Sequence, residues 1–165
     1  MQREERSRRN SGVEAHPLAE LLACPPAVGN LLNAATECIQ FDAGETAFRQ
    51  DSTCRGLYVV VSGQFIRKAE RLSTRVTLGV ARAGDLVEMA AALGDRKHTY
   101  TLSAQTAGSV LLLPMEALQR AFESYPLLRM RLLEELAREV SRAYGTCCIT
   151  RMGVTRHRAT GSVTP

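Results

Sequence analysis

The sequence GLYVVVSG at residues 56–63 is a short apolar run closed by a Ser-Gly turn signal, and it sets the pattern for the middle of the chain. Comparable runs recur between residues 37 and 114, separated by Gly, Asp and Ser. They cover residues 38–41, 46–49, 57–61, 64–69, 75–80, 98–103 and 109–113. Short runs with turn signals between them are typical of antiparallel β structure. We therefore predict a mainly β body, arranged as a sandwich or jelly-roll barrel.

Helical patterns flank this body. Leucines at helical spacing follow Pro17, and Pro25-Pro26 interrupts them, which predicts two short helices. The segment VEMAAAL at 87–93 does not alternate and predicts a small helix inside the β region. After Pro114 the apolar period changes to 3.6, and Pro126 divides a shorter helix from a longer one.

The longest predicted helix, 127–144, carries more apolar residues than one contact face requires. Alternating steps of three and four residues predict a two-helix seam for a homodimer, formed by Leu133, Leu136, Val140 and Ala143. Leu128, Leu132 and Ala137 are expected to face the barrel. Plain burial of the whole helix is the alternative, because the pattern lasts only about two heptads. Gly145 is predicted to end the helix as a C-cap.

Charge divides the 165 residues into a body and two tails. The net charge is +4, with +2 in residues 1–12, +3 in residues 146–165 and −1 between them. We predict a disordered tail at 1–16, a folded domain at 17–145 and a flexible basic tail at 146–165. A basic stripe on the folded body is missing, so direct DNA binding is not expected. No apolar run approaches the length of a membrane span, which favours a cytoplasmic protein.

Catalytic and metal-binding motifs are not evident. The five cysteines, at 24, 38, 54, 147 and 148, form no C-x-x-C pair and are interpreted as small residues in a reducing compartment. A thiol or iron–sulfur sensor at Cys24 and Cys38, or a redox pair at 147–148, is the alternative. Histidines occur only at 16, 98 and 157, and His98 is interpreted as a half-exposed strand residue. No metal site, catalytic residue or enzymatic activity is predicted.

Five short segments in order resemble the sensor half of Crp/Fnr-type bacterial regulators, over about residues 36–145. They are AGE at 43–45, GLYVVVSG at 56–63, GDL at 84–86, VLLLP at 110–114 and YP at 125–126. The resemblance implies a jelly-roll (double-stranded β-helix) barrel of the cyclic-nucleotide-binding type, followed by a long C-terminal helix. It also implies a dimeric regulator that binds a small effector, with signal transduction or transcription regulation as its role.

In that family the segment after the equivalent of Gly84 is a phosphate cassette, which reads Phe-Gly-Glu and later Arg-Ser-Ala or Arg-Thr-Ala. This chain has Val87, Glu88 and Met89 in the first motif and His98-Thr99-Tyr100 in the second. The cassette therefore looks degenerate, with a carboxylate at the glycine position and a histidine at the arginine position. The candidate pocket residues are Gly84, Asp85, Leu86, Val87, Glu88, Met89, Ala90, His98, Thr99 and Tyr100.

Two alternatives remain open. A shift of one residue would place Glu88 on the family glutamate and Arg96 or Lys97 near the family arginine, giving a functional cyclic AMP or cyclic GMP site. A ligand-free dimeric scaffold is the other. No cofactor is assigned from the sequence, although a cyclic nucleotide or another small-molecule effector fits the resemblance.

Overall fold

The computed structural model describes the backbone of residues 18–158 and the side chains of residues 18–145. The tail predicted at 1–16 lies outside the described residues. Five helices and eight strands follow in chain order: α1 Leu18–Leu21, α2 Pro26–Ala35, β1 Glu37–Phe41, β2 Thr46–Phe48, β3 Gly56–Ser62, β4 Phe65–Arg71, β5 Thr74–Ala81, β6 Leu86–Val87, α3 Met89–Leu93, β7 Thr101–Ala104, β8 Gly108–Pro114, α4 Met115–Ser124 and α5 Pro126–Arg158.

The strands form two antiparallel four-stranded sheets, in the orders β1-β8-β3-β6 and β2-β7-β4-β5. This confirms the mainly β jelly-roll fold with flanking helices. Pairing of β3 with β8 runs from Gly56↔Pro114 to Ser62↔Ser109. A Cβ added at Gly56 would lie 1.9 Å from the Leu113 carbonyl oxygen, so the close approach of these two strands requires glycine there.

Strand β3 is buried on both faces, which explains its unbroken apolar run. Leu57 and Val59 belong to a core between the first sheet and the helices, while Tyr58 and Val60 belong to a core inside the roll. Because successive side chains of a strand point to opposite faces, one strand contributes to both cores. We call the second core the roll interior; it also contains Phe48, Cys54, Phe65, Leu102 and Leu112.

One predicted strand boundary and one predicted helix boundary are corrected. The run 98–103 is a strand only from Thr101, because residues 98–100 form a connection whose side chains enter the site described below. The predicted helix at 87–93 begins only at Met89, since Leu86 and Val87 pair with Val59 and Tyr58 as strand β6.

The long helix also differs from the prediction. Helix α5 continues through Gly145 to Arg158, so the predicted C-cap at Gly145 is wrong and residues 146–158 are helical rather than an irregular tail. A single glycine costs a helix interior only about 1 kcal/mol, which does not by itself end a long helix. The rest of the predicted tail, 159–165, lies outside the described residues. None of the helices in the described part of the chain is both long and apolar enough to cross a bilayer.

Candidate functional site

The segment that resembles a phosphate cassette connects β5 to β7 and begins with a turn bound to β3. Gly84 has a φ of +91°, in the left-handed region that favours glycine. Its N–H donates to the Val60 carbonyl at 2.9 Å, and the Val60 N–H donates to the Asp85 carbonyl at 3.0 Å. The Asp85 carboxylate accepts from the N–H of Arg82 at 2.8 Å. These bonds hold the start of the cassette against the roll.

Glu88 directs its carboxylate into the protein, with only 3% of the residue exposed. Its Oε2 lies 2.9 Å from His98 Nδ1 and accepts from the Thr99 N–H at 3.2 Å. Its Oε1 accepts from the Thr99 hydroxyl at 3.0 Å. Both carboxylate oxygens are therefore occupied by groups of the second cassette motif. The Glu88 φ of +69° is left-handed, an uncommon conformation for a residue with a side chain.

His98 is 1% exposed, so its interpretation as a half-exposed strand residue is wrong. The imidazole is stacked on Phe48, with ring centroids 3.8 Å apart and an interplanar angle of 7°. The Tyr58 ring lies 5.8 Å away, centroid to centroid. The Glu88 carboxylate supplies the polar partner that a buried imidazole requires. His98 is thus part of the roll interior.

A backbone clamp holds His98 beside the segment that precedes β3. The Asp51 N–H donates to the His98 carbonyl at 2.8 Å, and the His98 N–H donates to the Ser52 carbonyl at 2.9 Å. The Cys54 N–H donates to the Arg96 carbonyl at 2.8 Å. These bonds place the buried Cys54 next to the cassette.

Tyr100 connects the cassette to the second sheet. Its hydroxyl accepts from the Glu88 N–H at 3.2 Å, and the Arg67 guanidinium carbon lies 5.9 Å from its ring centroid. Burial raises the pKa of Tyr100 above its ordinary value, and the Glu88 charge adds to this increase. The phenol therefore stays neutral over the physiological range and can serve as the hydrogen-bond partner of Glu88.

Arg67 on β4 links this region to α5. Its Nη1 lies 3.1 Å from Glu139 Oε1, and its Nε is buried without a hydrogen-bond partner among the described residues. Arg67 is the one Lys or Arg side chain within residues 18–145 that is not exposed. The strand and the long helix are therefore joined by a partly buried ion pair.

The remaining candidate residues lie around this network. Leu86 is partly buried, Val87 and Met89 are buried, and Ala90 is exposed on α3. Arg96 and Lys97, which the shifted alignment needs, are both exposed.

Four residues of the site were not predicted from the sequence, because they come from distant parts of the chain. They are Phe48, Cys54, Arg67 and Glu139. Cys54 fits the interpretation of a small buried residue, whereas Cys38 is exposed and does not.

The outward face of α5 carries exposed apolar residues at regular spacing. Steps of three and four residues connect Met130, Leu133, Ala137, Val140 and Tyr144, and all five are exposed. Leu128 and Leu132 pack against the core between the first sheet and the helices, as predicted. Leu136 packs against the same core, whereas Ala137 does not. Leu136 and Ala137 thus exchange the places assigned to them from the sequence. We call the row of five exposed residues from Met130 to Tyr144 the α5 seam. Ala143 is exposed beside the seam.

Comparison with known families gives one match. The profile of the cyclic nucleotide-binding domain matches residues 38–125. A search of curated proteins gives no match.

Solved structures share the fold at low sequence identity. The Thermus thermophilus catabolite activator protein superposes with a TM-score of 0.69 at 21% identity, over 82% of this chain and 63% of that one. The sensor domain of the Pseudomonas aeruginosa transcriptional regulator DNR gives 0.65 at 18% identity, over 91% of both chains. The regulatory domain of Toxoplasma gondii PKA, crystallised with cAMP, gives 0.64 at 18% identity over 73% of this chain and 46% of that one.

Proposed function

The chain belongs to the cyclic nucleotide-binding domain family. From that premise we propose that it is a dimeric Crp/Fnr-type sensor. We further propose that its cassette does not bind a cyclic phosphodiester through the contacts that the family uses. The family and the structural neighbours are regulatory domains, and this chain is regulatory rather than catalytic. The effector, the downstream partner and the cytoplasmic location are part of the proposal. A role in transcription rests on the resemblance to longer regulators, of which the chain spans only a part.

The Glu88–His98–Thr99 network carries this proposal. A cassette that binds a phosphate must offer cations and free N–H donors to the anion. In this chain the histidine at the arginine position and the Thr99 N–H and hydroxyl are directed to the Glu88 carboxylate instead. The protein's own carboxylate thus occupies the donors that the second motif provides.

Aromatic side chains support the same conclusion. Phe48 and Tyr58 contact the His98 ring inside the roll and are both more than nine-tenths buried, and Tyr100 packs against Phe48. A ligand entering between them would have to displace packed rings, each of which contributes several kcal/mol to the core.

The alternative cyclic nucleotide site has less support. It requires Glu88 to face the ligand together with Arg96 or Lys97. The Glu88 carboxylate is buried in its own network, whereas both cations are exposed on the connection between α3 and His98.

Dimerisation is proposed through the α5 seam, with a second copy of this chain as the partner. Alternating three- and four-residue steps are the spacing of a two-helix coiled coil, and Val140 and Tyr144 are 59% and 73% exposed. A ligand-free dimeric scaffold is the second candidate function, and the filled roll interior favours it.

Restoring the family motif tests the cassette. The triple variant Glu88→Gly, Met89→Glu, His98→Arg removes the internal carboxylate and returns the family's glutamate and cation. We expect calorimetric titration to show that this variant binds cyclic AMP more tightly than the parent, because two charge-assisted contacts are worth about 3–6 kcal/mol. Equal binding by both proteins would contradict the proposed role of the network. Circular dichroism shows whether the variant is folded.

Sedimentation equilibrium tests the dimer. We expect Leu133→Glu with Val140→Glu to convert a dimer into a monomer, because both charges fall on the seam. The matched control is Glu134→Gln, which changes an exposed residue beside the seam. A monomeric parent chain would contradict the proposed assembly.

A further inference from the structure

Three potential metal ligands meet in the roll interior. Cys54 precedes β3, Glu88 precedes α3 and His98 precedes β7. One ligand atom from each lies within 4.8 Å of the other two. None of the three residues is more than 3% exposed. A sulfur, an oxygen and a nitrogen donor are thus gathered in one enclosed place.

Backbone geometry holds these three residues in position. The clamp between residues 51–54 and 96–98 fixes Cys54 beside His98 through three main-chain hydrogen bonds. Glu88 has a left-handed φ of +69°, a conformation that costs energy for a residue with a Cβ. The Thr99 N–H and hydroxyl hold its carboxylate. Ligand residues fixed by surrounding hydrogen bonds are the arrangement that a metal site requires.

The chemistry of the three donors fits a borderline divalent ion. Zinc and related ions accept thiolate, imidazole and carboxylate ligands together. A thiolate and a carboxylate carry two negative charges, which a dication neutralises in a place where unpaired charge is costly. At the usual bond lengths of about 2.0–2.3 Å, neighbouring ligand atoms of a tetrahedral ion are roughly 3.3–3.7 Å apart. The His98–Glu88 pair, now hydrogen-bonded at 2.9 Å, must open slightly to admit the ion, and the other ligand distances, none above 4.8 Å, must shorten by up to about 1 Å.

We propose that Cys54, Glu88 and His98 bind a divalent transition metal ion of the zinc class. Three protein ligands leave the fourth position of a tetrahedral ion to a solvent molecule, and Thr99 is exposed where the network meets the surface. The bound ion joins the segments before β3, α3 and β7. The site does not depend on the proposed sensor function.

Metal binding changes the state of the thiol. In the metal-free protein the Cys54 thiol donates to the Gly56 carbonyl at 3.0 Å. A coordinated dication releases this proton to solvent. Binding therefore exchanges the S–H···O hydrogen bond for a metal–thiolate bond.

Cobalt provides the direct test. The full chain with Cys147→Ser and Cys148→Ser is titrated with Co²⁺ alone, and we expect one equivalent to produce a thiolate-to-cobalt charge-transfer band in the near ultraviolet. Cys54→Ser in this background should lose the band and weaken Zn²⁺ binding by more than tenfold. The matched control Cys38→Ser, at an exposed cysteine, should keep both. The absence of a band in the background protein, or the same band in Cys54→Ser, would overturn the proposal.

A second measurement needs no substitution in the core. X-ray absorption of the zinc-loaded chain should report one sulfur and two or three lighter ligands around the ion. Zn²⁺ should also raise the thermal midpoint of the parent chain. A shell with no sulfur, with two or more sulfurs, or no bound zinc after desalting would each contradict the assignment.

Discussion

Arg67 Nη1 lies 3.1 Å from Glu139 Oε1, so a side chain of the second sheet is bonded directly to the long helix. The Arg67 side chain is 18% exposed and that of Glu139 is 44% exposed. The guanidinium also lies over the ring of Tyr100, whose hydroxyl contacts Glu88. Through these contacts the cassette and α5 are parts of one network. A change at the cassette can therefore alter how the helix packs, which is the property that a sensor requires.

Breaking the Arg67–Glu139 pair should loosen the helix. We expect Glu139→Gln to destabilise the docking of α5 by about 1 kcal/mol, because the pair is partly exposed and its guanidinium is left with fewer acceptors. Hydrogen exchange should increase in peptides covering 132–145. Glu135→Gln is the control, since the ion pairs that the described residues give Glu135, with Arg138 and Arg142, lie on the surface of α5 itself. Equal exchange in the two variants would contradict the link.

Removing the charge of Glu88 should destabilise the whole domain. In Glu88→Gln an amide nitrogen replaces one carboxylate oxygen and cannot accept a hydrogen bond. A buried donor of Thr99 or His98 therefore loses its acceptor. We expect a loss of about 2–4 kcal/mol in the free energy of unfolding, measured by urea denaturation. Glu37→Gln, which removes a carboxylate from an exposed ion pair, should lose less than about 1 kcal/mol. Similar losses would show that the network does not stabilise the fold.

The buried phenol of Tyr58 predicts sensitivity to alkali. Burial, together with the nearby Cys54, raises the pKa of Tyr58 to about 12. A group whose pKa is raised on folding stabilises the protein fully below its unfolded pKa of about 10, and this contribution is lost as pH rises toward the folded pKa. The free energy of unfolding should therefore fall by about 1 kcal/mol for this residue between about pH 9 and about pH 11. Tyr58→Phe should reduce the fall, whereas Tyr144→Phe, at an exposed tyrosine, should not.

A substitution at Gly145 tests whether α5 continues through this residue. Because this residue lies inside α5 and an added Cβ would meet nothing within 4 Å, we expect Gly145→Ala to stabilise the helix by about 1 kcal/mol. Helical circular dichroism and the thermal midpoint should both increase. A decrease would mean that Gly145 adopts the left-handed conformation of a helix end after all.

The sequence predicts the fold well because its signal is local. The run at 57–61 is apolar throughout and the run at 109–113 is apolar after Ser109, and both become central strands of the first sheet. Boundaries are less secure where two structures compete, as at residues 87–89, where a strand pair with β3 displaces the first turn of the helix. Gly145 misleads for a related reason, since its low helix propensity is outweighed by a long helix on both sides.

The site is predicted only in part. The resemblance selects the cassette residues and places the Glu88 carboxylate at the family's glycine position, without indicating where the side chain lies. The structure turns this side chain into the roll interior, where His98 receives it. The contributions of Cys54, Phe48 and Arg67 depend on the backbone clamp and on pairing between strands distant in the chain. No spacing in the sequence encodes those contacts.

The most direct test of the account is calorimetric titration of the unmodified chain with cyclic AMP and cyclic GMP. Glu88 already occupies the donors of the second cassette motif, and the Phe48 and Tyr58 rings are packed behind them. We therefore expect no saturable heat up to about 1 mM ligand, which corresponds to less than about 4 kcal/mol of binding free energy. Saturable binding of either nucleotide at micromolar concentration, lost in His98→Ala, would contradict it.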